Sequence, residues 1–178
     1  MTDRRRNLSS FEKEQRFNRN RKVLNRFIRG FLAKNKVGIV HGTRATNAQL
    51  PRFLMRETTD WDVFVEKPRK RATQLEKKLD KRYRGDFFYV KKGTGSPGVK
   101  VFKVASNVTG ESFVDFATPK RNIPSTPRRG VRFATLADQK RAAQINVRKK
   151  ELEFRRAKDK NLLMRIKKFE KLRGGKKV

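Results

Sequence analysis

Apolar residues recur through residues 11–32 at intervals of one, three and four: Val23, Leu24, Phe27, Ile28, Phe31 and Leu32. That spacing predicts an amphipathic helix from Phe11, leaving Arg21, Lys22, Arg26 and Arg29 on its remaining surface. The run Val37-Gly38-Ile39-Val40 predicts a buried strand that ends at His41-Gly42-Thr43. Residues Ala45–Leu54 read as a short helix whose end is blurred by Pro51, and Asp60–Val65 as a strand closed by Pro68. Ala72, Leu75 and Leu79 place a helix over Arg69–Tyr83. Strands are expected at Asp86–Val90, Val99–Ala105 and Phe113–Phe116, with Gly93–Gly98 as a hairpin connection and Val108–Gly110 as a turn.

Past Phe116 the pattern changes. Residues 118–130 hold three prolines, four basic side chains and no acid, the signature of an extended linker. Thr135-Leu136-Ala137-Asp138 fits a capping box, so a long basic helix should begin there and run to about Leu172, broken or bent on the way. The order predicts an α+β fold: a mixed sheet over residues 37–118, a basic arm and helix before it (1–36), a Pro/Arg-rich linker (119–134) and a basic helix and tail (135–178).

Charge sharpens this division. The chain of 178 residues carries 49 Lys+Arg against 17 Asp+Glu, net +32. Residues 1–36 hold 12 basic and 3 acidic groups, residues 37–118 hold 16 and 9, and residues 119–178 hold 21 and 5. The middle is nearly ordinary and the flanks are not. An excess of this size opposes compaction, and a polyanionic partner, DNA or RNA first, is the economical reason for it. There is no cysteine and one histidine, which excludes disulfides and thiol chemistry and argues against a zinc cluster. No run of 18 apolar residues occurs, and the basic N-terminus has no apolar stretch of a secretory signal behind it, so an intracellular, non-secreted protein is expected.

The candidate chemistry lies in the ordinary middle. On a strand, residues i and i+2 share a face, so Asp60 and Asp62 project together and repel each other unless a cation joins them. Trp61 alternates away toward the core, and His41 packs or caps near the turn. With Gly42-Thr43 ahead of the acid pair and Asp115 on a later strand, the chain resembles the nucleotidyltransferase superfold, the DNA-polymerase-beta-like family and its minimal or toxin-like members. The match covers roughly residues 37–118; Thr43 stands where that family usually has Gly or Ser.

The resemblance implies that Asp60, Asp62 and Asp115 are catalytic and hold Mg²⁺ or Mn²⁺, with a nucleoside triphosphate (NTP) as substrate. It implies that Gly42, Thr43, Arg44 and Lys158 serve the triphosphate, Gly42 because it lacks a Cβ. The expected roles are charge neutralisation by metal at the attacking and leaving oxygens, and positioning. Arg26, Arg29, Arg69, Lys70, Arg71, Arg128, Arg129, Arg148, Lys149, Lys150, Arg155 and Arg156 are the expected nucleic-acid contacts, sequence-tolerant and salt-sensitive. A second function uses the same fold without catalysis: a basic structural protein binding nucleic acid within a ribonucleoprotein, a virion or another larger assembly. Convergence of the three carboxylates around open space would favour the enzyme; a cleft filled by the terminal helix would favour the scaffold.

Overall fold

Alternating apolar residues assemble a sheet that the two basic flanks then cover. The computed structural model describes residues 10–34, 38–95 and 98–174. A long helix α1 (Ser10–Lys34) leads into strand β1 (Ile39–His41) and a short helix α2 (Gly42–Asn47). Strand β2 (Trp61–Phe64), helix α3 (Pro68–Tyr83) and strands β3 (Phe88–Gly93), β4 (Val101–Ser106) and β5 (Ser112–Ala117) follow. Strands β6 (Ser125–Arg128) and β7 (Val131–Ala134) precede helices α4 (Leu136–Arg148) and α5 (Arg156–Gly174). The strands form one mixed sheet in the order β3-β4-β5-β2-β1-β7-β6, with β2 parallel to β5 and β1 parallel to β7. The α+β class and the mixed sheet are as the pattern predicts.

One sheet face carries the core. Val63, Val114 and Phe116 are buried with Leu75 and Leu79 of α3 and Ile28 and Leu32 of α1 in one cluster. Proline at the start of α3 needs no amide partner, and Arg84 ends that helix in the left-handed region at φ 56. Thr135 caps α4 as expected, its side chain accepting from the Asp138 amide at 3.2 Å.

Three segments depart from the pattern. The helix expected at Ala45–Leu54 starts instead at Gly42 and stops at Asn47, because Pro51 restricts the residue before it; a 3₁₀ turn, Arg52–Leu54, follows. The expected linker is in part the β6–β7 hairpin, with Val131 and Phe133 buried. Pro127 is tolerated because β6 is an edge strand, where an amide donor is dispensable. The long terminal helix ends at Arg148, where Lys149 is extended (φ −88, ψ 122). A 3₁₀ segment, Lys150–Arg155, kinked at Leu152 (φ −110, ψ 21), follows, and α5 returns along α4, with Lys140 bonded to Glu170 at 2.8 Å.

The flanks are therefore not free arms among the described residues. Leu24, Ile28, Phe31 and Leu32 anchor α1, and Ile166 and Asp159 are buried in α5. Val23, expected in the stripe of α1, is instead 42 % exposed. Residues 1–9 and Ser96-Pro97 of the hairpin loop lie outside the described residues.

Candidate active site

Sheet register decides which acids can meet. On the parallel pair β2–β5, Asp62 lies opposite Asp115, so the two carboxylates share a sheet face. On the other side of β2, His41 lies opposite Asp62. Gly42 follows at φ +67, and a Cβ there would stand 2.5 Å from Asp62 Oδ2. Backbone and carboxylate approach this closely only because the position has no side chain. Asp60 sits just before β2. Its Oδ1 accepts from the Thr58 hydroxyl at 2.9 Å and its carbonyl from Arg44 Nε at 2.5 Å.

Burial, and next the charges of Asp60 and Asp115, raise the Asp62 carboxyl from 3.8 to about 6; Lys158 and Lys103 offset part of this. His41 is pushed the other way, to about 3, by burial and then by Arg155 and Lys158. Its ring stacks on Phe64 with centroids 3.8 Å apart, the packing role expected for it.

The α4–α5 hairpin closes this corner. A cavity of about 270 Å³ remains, with Gly42, Thr43, Asp62, Gln139, Arg155 and Lys158 in its lining. Two wall acids are already paired: Arg121 holds Asp138 at 2.6 Å, and Arg155 forks onto Asp159 at 2.9 and 3.3 Å. Lys158 has no such partner among the described residues. The Gly42 amide donates to Gln139 Oε1 at 2.9 Å.

Among the described residues no group of three or more His, Asp or Glu side chains is arranged to hold a metal ion, although Asp60 and Asp115 both act on the Asp62 carboxyl. The reason is local, because Lys103 Nζ takes Asp115 Oδ2 at 2.5 Å while Thr58 holds Asp60. Arg44 does not line this cavity. Its guanidinium lies 4.3 Å over Trp61 and donates to Asn25 and the Thr59 carbonyl, which anchors the Asp60 loop.

Of the basic residues expected to touch nucleic acid, Arg155 turns into the cavity, whereas Arg156 pairs with Glu153 at 3.0 Å. Arg148, Lys149 and Lys150 are exposed where α4 ends. Arg69 and Lys70 line a hollow of about 1090 Å³ with Lys77, Lys92 and Lys100, and Arg71 donates to Gln74. Arg26, Arg29, Arg128 and Arg129, from opposite ends of the sequence, line one groove.

The pattern did not single out Lys103 or Gln139. Lys103 had a signal, a lone charge inside the strand Val-Phe-Lys-Val. Gln139 had none, since it meets Gly42 across 97 residues.

No protein-family model matches the sequence, and no curated protein matches it either. Solved structures do. The crystal structure of the Megavirus polyadenylate synthase aligns with a TM-score of 0.70 and 13% identity, over 85% of this chain and 32% of that one. The fold is nucleotidyltransferase-like. The chain spans about a third of the length of that synthase. JHP933 from Helicobacter pylori aligns at a TM-score of 0.45 and 13% identity, over 75% of this chain and 59% of that one.

The corner where β1, β2 and β5 meet has features that suit a cation. Asp115 Oδ1 is buried without a hydrogen-bond partner, Asp62 is repelled by two neighbouring acids, and Gly42 leaves room beside it. Gly42→Ala should therefore be costly. The positive φ and the collision with Asp62 predict a loss of roughly 2 kcal/mol, read as a lower urea midpoint. His41 allows a second check, because it is the chain's single histidine. Its lowered value means stability is full above pH 6.5 and declines as pH falls toward 3. The imidazole C2 proton should hold its neutral chemical shift from pH 8 to 5; a midpoint near 6.5 would contradict its buried placement.

Proposed function

We propose that the chain is a divalent-metal-dependent nucleotidyltransferase, transferring a nucleoside monophosphate from an NTP to a hydroxyl of an acceptor bound to its basic surface, with pyrophosphate as the leaving group. The observation that carries this reading is the register placing Asp62 and Asp115 on one face beside Gly42, in a nucleotidyltransferase-like fold. Asp60, Asp62 and Asp115 are the residues that would hold Mg²⁺ or Mn²⁺. When bound, the metal would neutralise charge on the attacking and leaving oxygens of the phosphoryl group. Lys158, unpaired in the cavity wall, offers a charge for the triphosphate. Arg155, held by Asp159, lends a fixed positive field to the same wall. The α4–α5 hairpin excludes bulk water from the corner and strengthens these interactions.

A second reading has its own support. The cavity is small for a whole nucleotide, and Gln139 and Lys103 already satisfy the groups a triphosphate and a metal would engage. These contacts favour a non-catalytic scaffold that binds nucleic acid inside a ribonucleoprotein or virion. Incubation with Mg²⁺ or Mn²⁺, each labelled NTP and a broad acceptor panel separates the two. Transfer by the wild type that vanishes in Asp60→Ala/Asp62→Ala supports the enzyme. No transfer above the double variant supports the scaffold. No helix among the described residues is long and apolar enough to cross a membrane.

A further inference from the structure

A groove of about 800 Å³ lies between α1, α2 and the tip of the β6–β7 hairpin. Five arginines line it, Arg26, Arg29, Arg44, Arg128 and Arg129, and no acidic residue does. Arg44 is fully used at the back wall, by Asn25, two carbonyls and the Trp61 ring. The other four are different. Among the described residues none has a hydrogen-bond or ion-pair partner, although guanidinium groups elsewhere in the fold hold Glu111, Asp138 and Asp159.

The backbone brings them together at a cost. Arg26 and Arg29 stand one turn apart on α1. Gly130 seats the hairpin tip against α1, where an added Cβ would come within 3.2 Å of Ala33 Cβ. Arg129 occupies the left-handed region at φ 50, a conformation costing a β-carbon residue about 1 kcal/mol or more and favoured by Gly or Asn. A strained turn carrying two adjacent cations toward two more is stable only against mutual repulsion, and a bound polyanion would relieve that repulsion.

We propose that this groove is a docking site for single-stranded nucleic acid, its four unpartnered arginines each meeting a backbone phosphate. The composition favours this occupant. Arginine pairs bidentately with phosphate and stacks on unpaired bases, and the lining adds the exposed Met55. A concave trough follows a flexible strand better than it follows the convex surface of a duplex. The proposal names the surface behind the nucleic-acid part of the reading above, and it requires no transfer chemistry.

The test uses the full chain and fluorescence anisotropy with labelled 20-nucleotide RNA and DNA single strands and a matching duplex, across a salt series. One variant carries Arg26→Gln, Arg29→Gln, Arg128→Gln and Arg129→Gly, the last chosen to suit the turn. A control removes the same charge elsewhere, with Lys67→Gln, Lys77→Gln, Lys92→Gln and Lys100→Gln. Four lost phosphate contacts predict weakening of about 100-fold or more near 0.1 M salt and a salt slope shallower by about 3. The lysine control should lose less than a tenth of that. If the fourfold variant melts early, the exposed pair Arg26→Gln/Arg128→Gln should still lower the slope by about 1 to 1.5. Equal losses in the groove and control variants would overturn the groove and leave nucleic-acid binding standing. Tighter binding of the duplex than of either single strand would overturn the choice of occupant. Failure of the wild type to bind any strand would overturn both the groove and the nucleic-acid part of the proposed function. Loss of nucleotidyl transfer in an Asp62 variant, with strand binding intact, leaves the groove supported.

Discussion

Asp62→Asn is expected to lower metal-dependent nucleotidyl transfer by about a thousandfold or more while making the metal-free fold more stable. The first half follows from charge: losing a ligand removes several kcal/mol of transition-state stabilisation, and each 1.4 kcal/mol is tenfold. The second follows from burial and from two acidic neighbours that hold Asp62 at about 6 in the fold against 3.8. For an acid raised by folding, the penalty is absent below the unfolded value and grows as pH climbs from about 4 to 6. It is complete above 6, at roughly 3 kcal/mol. The near-isosteric amide keeps the volume and removes the repulsion, so its advantage in urea unfolding should appear between pH 4 and 6 and plateau by pH 7. A variant equally stable at pH 4 and 7 relative to wild type would show that Asp62 is not electrostatically frustrated. A variant with normal transfer would remove the enzyme reading.

The central sheet was legible because its signals are short in range. Strand alternation around Trp61 and Val63 sets two faces, and the acid at Asp62 could only lie opposite them. The placement of Asp115 on the same face follows from a second such strand. What stayed hidden depends on contacts across the sequence. Pro127 argued against a strand, and only the edge position of β6 makes it acceptable. The cover over the corner comes from α4, whose Gln139 meets Gly42, and from α5, which returns after a break at Lys149 that no strong breaker residue marks. The total charge is plain in the sequence, but its arrangement in space is not. The flanks carry most of it, yet α1 is anchored by apolar side chains, and its arginines find their counterparts on the β6–β7 tip a hundred residues later.

The bond between Lys103 and Asp115 bears most directly on whether this corner is a metal site or a finished structural ion pair. The two residues face each other across β4 and β5, both largely shielded from solvent. Lys103→Met keeps the side-chain length and removes the charge, leaving Asp115 with neither oxygen paired. Breaking a partly buried charged bond in this way should cost about 2–3 kcal/mol, seen as a lower urea midpoint without metal. The decisive measurement is the response to Mn²⁺. If Asp115 belongs to a cation site beside Asp62, Mn²⁺ should raise the melting temperature of Lys103→Met more than that of the wild type, because no resident ammonium then competes for the carboxylate. Isothermal titration should show correspondingly tighter binding, and Asp62→Asn in the same background should abolish it. If Mn²⁺ restores nothing, Lys103 and Asp115 form a closed pair, and the fold serves this protein as a scaffold.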